Sequence, residues 1–249
     1  YTFYITPYLW WMLLRSEGIV LRTIRHQDNN LIATVFTRDY GRMGFMVRGY
    51  RSARGAKNHS YFQPLSIVEI VFQQKENRDL QSVRETRHAN ILSTIQTDPV
   101  KLSLGLAMLE VLKDTVREEA AASPELYDFF KRFILTIDQQ NKGLIQIFVF
   151  TLLHLTRHLG FMPSDQSDNS PAVHFDVQNG RFIAEAHQRE PISLLLRRFL
   201  HADFESCTEI TFDQEQKRHL LTTLFGYYQS HIDGFNYPQT LRVFGEVFG

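Results

Sequence analysis

The sequence predicts an α+β protein in two parts: a small closed β-barrel, then an all-helical bundle carrying a β-hairpin insertion. Three observations lead there. Between residues 16 and 86 short β-type runs alternate with turn residues, and from residue 98 apolar residues recur at helical spacing behind marked helix starts. Between residues 160 and 190 the helical pattern is broken by an Asn-Gly dipeptide flanked by alternating apolar residues. A chain of 249 residues has room for one large domain or two small ones, each with a buried core.

The strands follow in order. Ile19, Val20 and Leu21 lead into Ile24, and the polar run from His26 to Asn30 turns the chain into a second strand, Leu31 to Thr37. Asp39, Tyr40 and Gly41 turn it again. In the third strand Met43, Phe45 and Val47 alternate with Gly44, Met46 and Arg48, which gives one apolar and one mixed face. Leu65 to Phe72 is apolar on both faces except at Ser66 and Glu69, the pattern of a central barrel strand, and Leu80 to Thr86 is a weaker fifth. Closure would remove the exposed edges that five short strands leave in an open sheet, and the five-stranded OB-fold is the barrel that fits.

The helices are marked by their caps. Asp98-Pro99 and Ser123-Pro124 each put a capping side chain before a proline at the first helical position. The first helix, Pro99 to about Glu119, is apolar on almost every side and reads as a central helix. Leu126, Phe129, Phe130, Phe133, Ile134 and Ile137 stripe the second, and Leu144 to Leu159 forms a third that stops at Gly160. Ile192 to His201 adds another, and Asp213 with Gln216 forms a capping box opening a last helix to about Ser230. Met162 to Pro171 has loop composition, after which Val173, Phe175 and Val177 alternate up to Asn179-Gly180. The expected division is a barrel domain at 12–90 and a helical domain at 91–249, with the hairpin insertion at 160–190.

The formal net charge is zero, which at first argues against a polyanion partner, but the halves differ. Residues 12–90 hold 13 Lys and Arg against 7 Asp and Glu, a net of +6, and residues 91–249 hold 14 against 20, a net of −6. Arg42, Arg48, Arg51, Arg54 and Lys57 fall within sixteen residues that contain no acid. The run from Arg48 to Lys57 interleaves base with glycine and Tyr50, the chemistry of a loop that tracks phosphates and offers a stacking face. Phe45 and Tyr61 are further candidate stackers. Read from the residues alone, the same run also serves as a solubilising loop.

Residues 15–87 resemble the N-terminal domain of the RecO family of bacterial recombination mediators. The resemblance is carried in order by Gly18-Ile19-Val20-Leu21-Arg22, by Val35-Phe36-Thr37 followed by Tyr40-Gly41-Arg42, by Val47-Arg48-Gly49 with its basic loop, and by Tyr61-Phe62-Gln63-Pro64-Leu65. The helical half is similar more loosely, best at His158-Leu159-Gly160-Phe161-Met162-Pro163. The resemblance implies an OB-fold with a helical domain, no catalytic chemistry, binding of single- and double-stranded DNA, and strand annealing. It further implies loading of RecA onto DNA covered by single-strand-binding protein (SSB), with RecR as partner. Carried over by position, the family's basic third-strand and loop residues fall on Arg42, Arg48, Arg51, Arg54 and Lys57, and with Tyr50 as the stacking ring these are the expected DNA-binding residues. Many members hold zinc with four cysteines directly after the segment matching Leu159-Gly160. Here that stretch has none and the chain's one cysteine is Cys207, so zinc is expected to be absent, with the hairpin packed by apolar contacts instead.

Other features weigh less. His154 and His158 stand four apart on the third helix, but no third ligand accompanies them and packing explains them better. Neither a phosphate-binding Gly-x-x-x-x-Gly-Lys loop nor a Gly-x-Ser-x-Gly elbow occurs. Glu118-Glu119 reads as a solvated helix end. Arg197-Arg198 suits the acidic C-terminal tail of SSB, or equally favours its own helix C-terminus. The first eleven residues, YTFYITPYLWW, hold six aromatics and no charge, and Met12 is expected to be the natural start. One cysteine and no spanning-length apolar run fit a cytoplasmic protein. Two other functions remain open at this point: a protein adaptor whose barrel has lost nucleic acid, and an RNA-binding OB protein.

Overall fold

The structure, a computed structural model, describes residues 13–26, 29–49, 60–74, 78–116, 121–166, 173–184 and 190–241. Five strands, β1 (Leu13–His26), β2 (Asn30–Thr37), β3 (Gly41–Arg48), β4 (Ile67–Gln73) and β5 (Leu80–Asn90), close into a barrel in the order β1-β2-β3-β5-β4, the order of an OB-fold. β1 is long enough to serve two neighbours: Leu13 to Ile19 pair with β4, and Gly18 to His26 pair with β2 across a bulge between Val20 and Arg22. Alternation puts Val20, Leu31, Ala33, Val35, Phe45, Val47, Val68, Ile70 and Phe72 inside, where with Phe62 they form the barrel core.

The sequence boundaries shift at two strands for identifiable reasons. β4 begins at Ile67 rather than Leu65 because Gln63 to Ser66 forms a turn closed by Ser66 N–H donating to Gln63 O at 3.0 Å. Pro64 and Leu65 are its central residues, and Leu65 takes φ 72°. That is the position where a type II turn favours glycine, yet Leu65 is fully buried. β5 extends to Asn90, and its poor alternation between Leu80 and Thr86 comes from a register shift against β4 at Val71/Phe72, with a second shift further along at Ile67/Val68.

The described residues group into two compact units rather than along one cut. The barrel groups with Val116–Lys131; Ser93–Thr115 groups with the chain from Arg132 onward. Helix α2 (Pro124–Gln139) therefore gives its residues up to Lys131 to the barrel unit, where Tyr127 Oη donates to Glu17 Oε1 at 3.0 Å and Lys131 Nζ donates to the same oxygen at 2.7 Å.

The second unit holds α1 (Pro99–Thr115), the rest of α2, α3 (Leu144–His158), α4 (Pro191–Leu200) and α5 (Gln214–His231). The expected caps are present: Asp98 Oδ1 accepts Val100 N–H at 2.8 Å, and Asp213 and Gln216 form the full capping box. α3 is buried from Ile147 to Leu153 without a break. The insertion is larger than a hairpin. β7 (Val173–Asp176) and β8 (Arg181–Ala184) pair antiparallel, and β6 (Ser164–Gln166) adds a parallel strand beside β8 from a stretch with loop composition. Asp176 shapes the connecting loop by accepting Asn179 N–H at 3.1 Å and its side-chain amide at 2.8 Å, and Gly180 takes the positive φ of 61°. Val173, Phe175 and Phe182 are buried, and the rings of Phe175 and Phe182 stack at 4.6 Å, so apolar contact holds the small sheet.

Candidate nucleic-acid interface

The paired register fixes which side chains share the outer barrel face. Arg22 lies opposite Thr34 and Thr34 opposite Gly44; Ile24, Ile32, Met46 and Ser82 form the next row; His26, Asn30 and Arg48 form the third. Ile24 is 42% exposed, and Arg22, Arg48 and Arg84 are exposed. Arg78, just before β5, meets Arg48 and Arg84 around one cleft of about 400 Å³. Arg84 Nη2 donates to Gln73 Oε1 at 2.6 Å, a neutral partner that leaves its charge uncompensated.

Elsewhere on the barrel three arginines are matched. Arg38 makes a two-pronged pair with Asp128, Nε to Oδ1 at 3.0 Å and Nη2 to Oδ2 at 2.9 Å. Arg87 grips Glu69 the same way at 3.0 and 2.9 Å, and Arg15 lies 3.6 Å from the same carboxylate. The hydrogen bond and charge of Arg38 hold Asp128 below the usual aspartate range, and those of Arg87 do the same for Glu69. Arg22, Arg48, Arg78 and Arg84 make no such pair among the described residues. Among the described residues the barrel thus has arginines neutralised by Glu69 of β4, namely Arg15 on β1 and Arg87 on β5, and Arg38 of the β2–β3 turn neutralised by Asp128, whereas Arg22 on β1, Arg48 on β3, Arg78 before β5 and Arg84 on β5 are uncompensated.

The sequence-predicted residues divide accordingly. Arg48 is exposed on this face. Arg42 starts the same strand, six residues or about 20 Å away, and Nη1 donates to Val116 O at 3.5 Å; the two are not brought together. Tyr50, Arg51, Arg54 and Lys57 lie outside the described residues, as does the Met12 start. Phe45 is corrected as a stacker: it alternates inward, is fully buried and meets Phe72 edge-on at 5.2 Å. Tyr61 is half-buried and packs on His88 at 4.6 Å. The reading missed Arg78 and Arg84, which no local motif marks.

On the second unit Arg197 and Arg198 line a groove of about 880 Å³ with Pro191, Leu194, Leu195 and Ile210. Arg197 Nε lies 3.2 Å and His201 Nε2 2.8 Å from Asp165 Oδ2. His154 Nε2 meets Phe199 O at 3.0 Å and its ring lies 4.1 Å from that of Phe150, so it packs, and burial lowers its pKa. Among the described residues no three His, Cys, Asp or Glu side chains gather as metal ligands, and no helix is long and apolar enough to cross a membrane. Cys207 is buried, and burial, with Asp203 nearby, pushes its thiol up to about 12.

A five-stranded OB-type barrel with a cationic outer face, joined in sequence to a helical region, belongs to the class of small barrels that bind oligonucleotides and oligosaccharides. Family comparison makes this specific: residues 12–91 match the model for the recombination protein O N-terminal region, and residues 96–240 match the model for its C-terminal region. The chain belongs to the RecO family of DNA repair proteins, recombination mediators rather than enzymes. It is 27% identical over 245 residues to DNA repair protein RecO of Christiangramia forsetii, covering 96% of this chain and 100% of that one. It is 28% identical to the proteins of the same name from Flavobacterium johnsoniae, over 241 residues, and Porphyromonas gingivalis, over 245, in each case covering 95% of this chain and 100% of the relative.

Proposed function

We propose that the protein binds single- and double-stranded DNA through the outer face of β1, β2, β3 and β5, anneals strands, and with RecR helps load RecA onto SSB-coated DNA in the cytoplasm. The sorting of arginines carries the reading: Arg15, Arg38 and Arg87 are held by carboxylates, whereas Arg22, Arg48, Arg78 and Arg84 make no ion pair among the described residues and offer their charge to an outside anion. Phosphate is the anion an OB face most often meets. Tyr50, Arg51, Arg54 and Lys57 follow Arg48 in sequence and join the proposal on their chemistry alone. Residues 12–90 serve as the DNA-binding domain and 91–249 as the partner-binding domain. The groove beside Arg197 and Arg198, with leucine walls and a basic rim, suits a short acidic peptide with apolar side chains, the chemistry proposed for the SSB tail.

The test is annealing of complementary strands coated with SSB, followed by energy transfer between end labels. The protein is expected to accelerate it; no acceleration overturns the reading. Retention of RecR without retention of DNA would make the protein an adaptor instead, and tighter binding of matched RNA than of DNA would make it an RNA-binding one.

A further inference from the structure

The barrel closes through very little pairing. β3 and β5 run side by side over three residue pairs, Gly44 with Leu80, Phe45 with Gln81 and Met46 with Ser82. Gly44 permits the approach, because a Cβ there would stand 2.8 Å from Leu80 Cδ2 and 3.1 Å from Asp79 O. Beyond Met46 the ladder stops. On its other edge β5 carries Arg84 as an extra residue, since Val71 pairs with Glu85 while Phe72 pairs with Val83. The strands part, and the cleft of about 400 Å³ between them reaches down to Phe62 and Val47 of the barrel core.

The lining of this cleft is mixed in a particular way. Val47, Phe62 and Val83 supply apolar walls, Gln73 and Thr86 supply polar groups, and Arg48, Arg78 and Arg84 line it as cations. The Thr86 hydroxyl oxygen is buried and has no hydrogen-bond partner among the described residues, an arrangement that costs stability unless something else fills it. A second hollow of about 410 Å³ shares Met46, Arg48, Arg78 and Ser82 with the first, so both arginines stand between two concavities. Phosphate alone would leave the apolar walls unused, and an apolar ligand would leave three guanidinium groups unmatched. A nucleotide uses all of it: a flat ring against apolar walls, ring edges toward an amide and a hydroxyl, and phosphates beside arginines. The volume also fits, since small-ligand pockets run from about 300 to 1,000 Å³.

We propose that the cleft between β3 and β5 takes one nucleotide of a DNA strand with its base turned out of the stack, its flanking phosphates held by Arg48 and Arg78. This rests on the DNA-binding reading of the barrel and sharpens it. The barrel then favours strands whose bases turn out readily, single strands above intact duplex.

The test uses the full chain and an end-labelled single-stranded oligonucleotide bearing 2-aminopurine, beside a matched strand with abasic sites that keeps every phosphate. Anisotropy reads binding, and 2-aminopurine emission reads unstacking. The base-bearing strand is expected to bind about tenfold more tightly than the abasic one, the scale of one base contact, with a change in emission on binding. Ser82→Phe, at the rim, is expected to abolish the emission change and the tenfold preference while the abasic strand still binds. Equal binding of the two strands by the unaltered protein overturns the proposal, as does an emission change that survives in a folded Ser82→Phe. Free dAMP filling the cleft while the strand leaves 2-aminopurine emission unchanged also overturns it, because the nucleotide then comes from solution. If neither strand binds at low salt, the DNA-binding reading itself fails, which is a different result from equal binding.

Discussion

Two arginine pairs on the barrel carry the same formal charge and should differ in effect. Replacing Arg48 and Arg78 together by alanine removes two exposed cations that make no ion pair among the described residues. Replacing Arg38 and Arg87 together removes the same charge, but each of these is already held by a carboxylate through two hydrogen bonds of 2.9 to 3.0 Å. Each phosphate contact on a single strand contributes about 0.7 to the slope of log affinity against log salt, so losing two lowers the slope by about 1.4. Over a fourfold rise in salt, from about 50 to about 200 mM, the wild-type advantage over the Arg48/Arg78 variant should then shrink about sevenfold. The Arg38/Arg87 variant should keep a slope close to that of the wild type. Anisotropy titrations of a labelled oligonucleotide at four or five salt concentrations measure both slopes. If the two double variants flatten the dependence equally, the barrel acts as a diffuse charge and the assignment of a face is wrong.

Three further outcomes are expected. Leu65 combines positive φ with full burial, so Leu65→Gly loses packing but relieves strain, whereas Leu65→Ala loses packing and keeps the strain. Urea unfolding should find the glycine variant more stable than the alanine variant by about 1 kcal/mol, and the usual order, alanine above glycine, would refute the turn assignment. Burial alone would raise the Asp138 pKa, but the backbone N–H groups of Ser93, Ile95 and Thr94 and the Ser93 hydroxyl hold it below the ordinary 3.8. A carboxylate depressed in the folded state contributes stability above its unfolded pKa and loses it as pH falls through the folded one. Asp138→Asn should therefore cost about 2 to 3 kcal/mol at pH 7, with the gap to wild type closing below about pH 4. Thermal melts across pH read this, and a gap that does not depend on pH would count against it. Asp165 occupies Arg197 and His201 beside the groove, so Asp165→Asn should tighten binding of an acidic SSB-tail peptide on the order of two- to fivefold. Calorimetry showing weaker or unchanged binding would remove the groove from the proposal.

Much of the fold was legible because its signals are local. One-sided burial makes β2 and β3 alternate, and Asp98, Ser123 and Asp213 each mark a helix start within a few residues. The misses are places where a local rule is broken by the rest of the molecule. β5 looked weak because the register shift at Val71/Phe72 changes which side chains face inward between Val83 and Glu85. Leu65 reads as the first residue of a strand because nothing in a leucine announces positive φ. β6 is three residues, Ser164, Asp165 and Gln166, with no apolar alternation, and it is a strand because β8 lies beside it.

The interface was legible to a smaller degree, and the reason is physical. Arg48 was found by its company of nearby base, but Arg78 and Arg84 reach it only through the parallel closure of β3 on β5, which joins segments more than thirty residues apart. The placement of Phe45, by contrast, was available in advance: the alternation that made Met43, Phe45 and Val47 one apolar face already put that ring inside. Charge counting failed at two levels for one cause. The neutral total concealed a split of +6 and −6 between the two parts of the chain, and the +6 in turn mixes arginines tied to Glu69 and Asp128 with arginines tied to nothing acidic among the described residues. A guanidinium already held by a carboxylate offers an incoming phosphate little net attraction, since it must first give up its partner. What defines the face is therefore that Arg22, Arg48, Arg78 and Arg84 make no ion pair among the described residues, a property of strand register that composition does not contain.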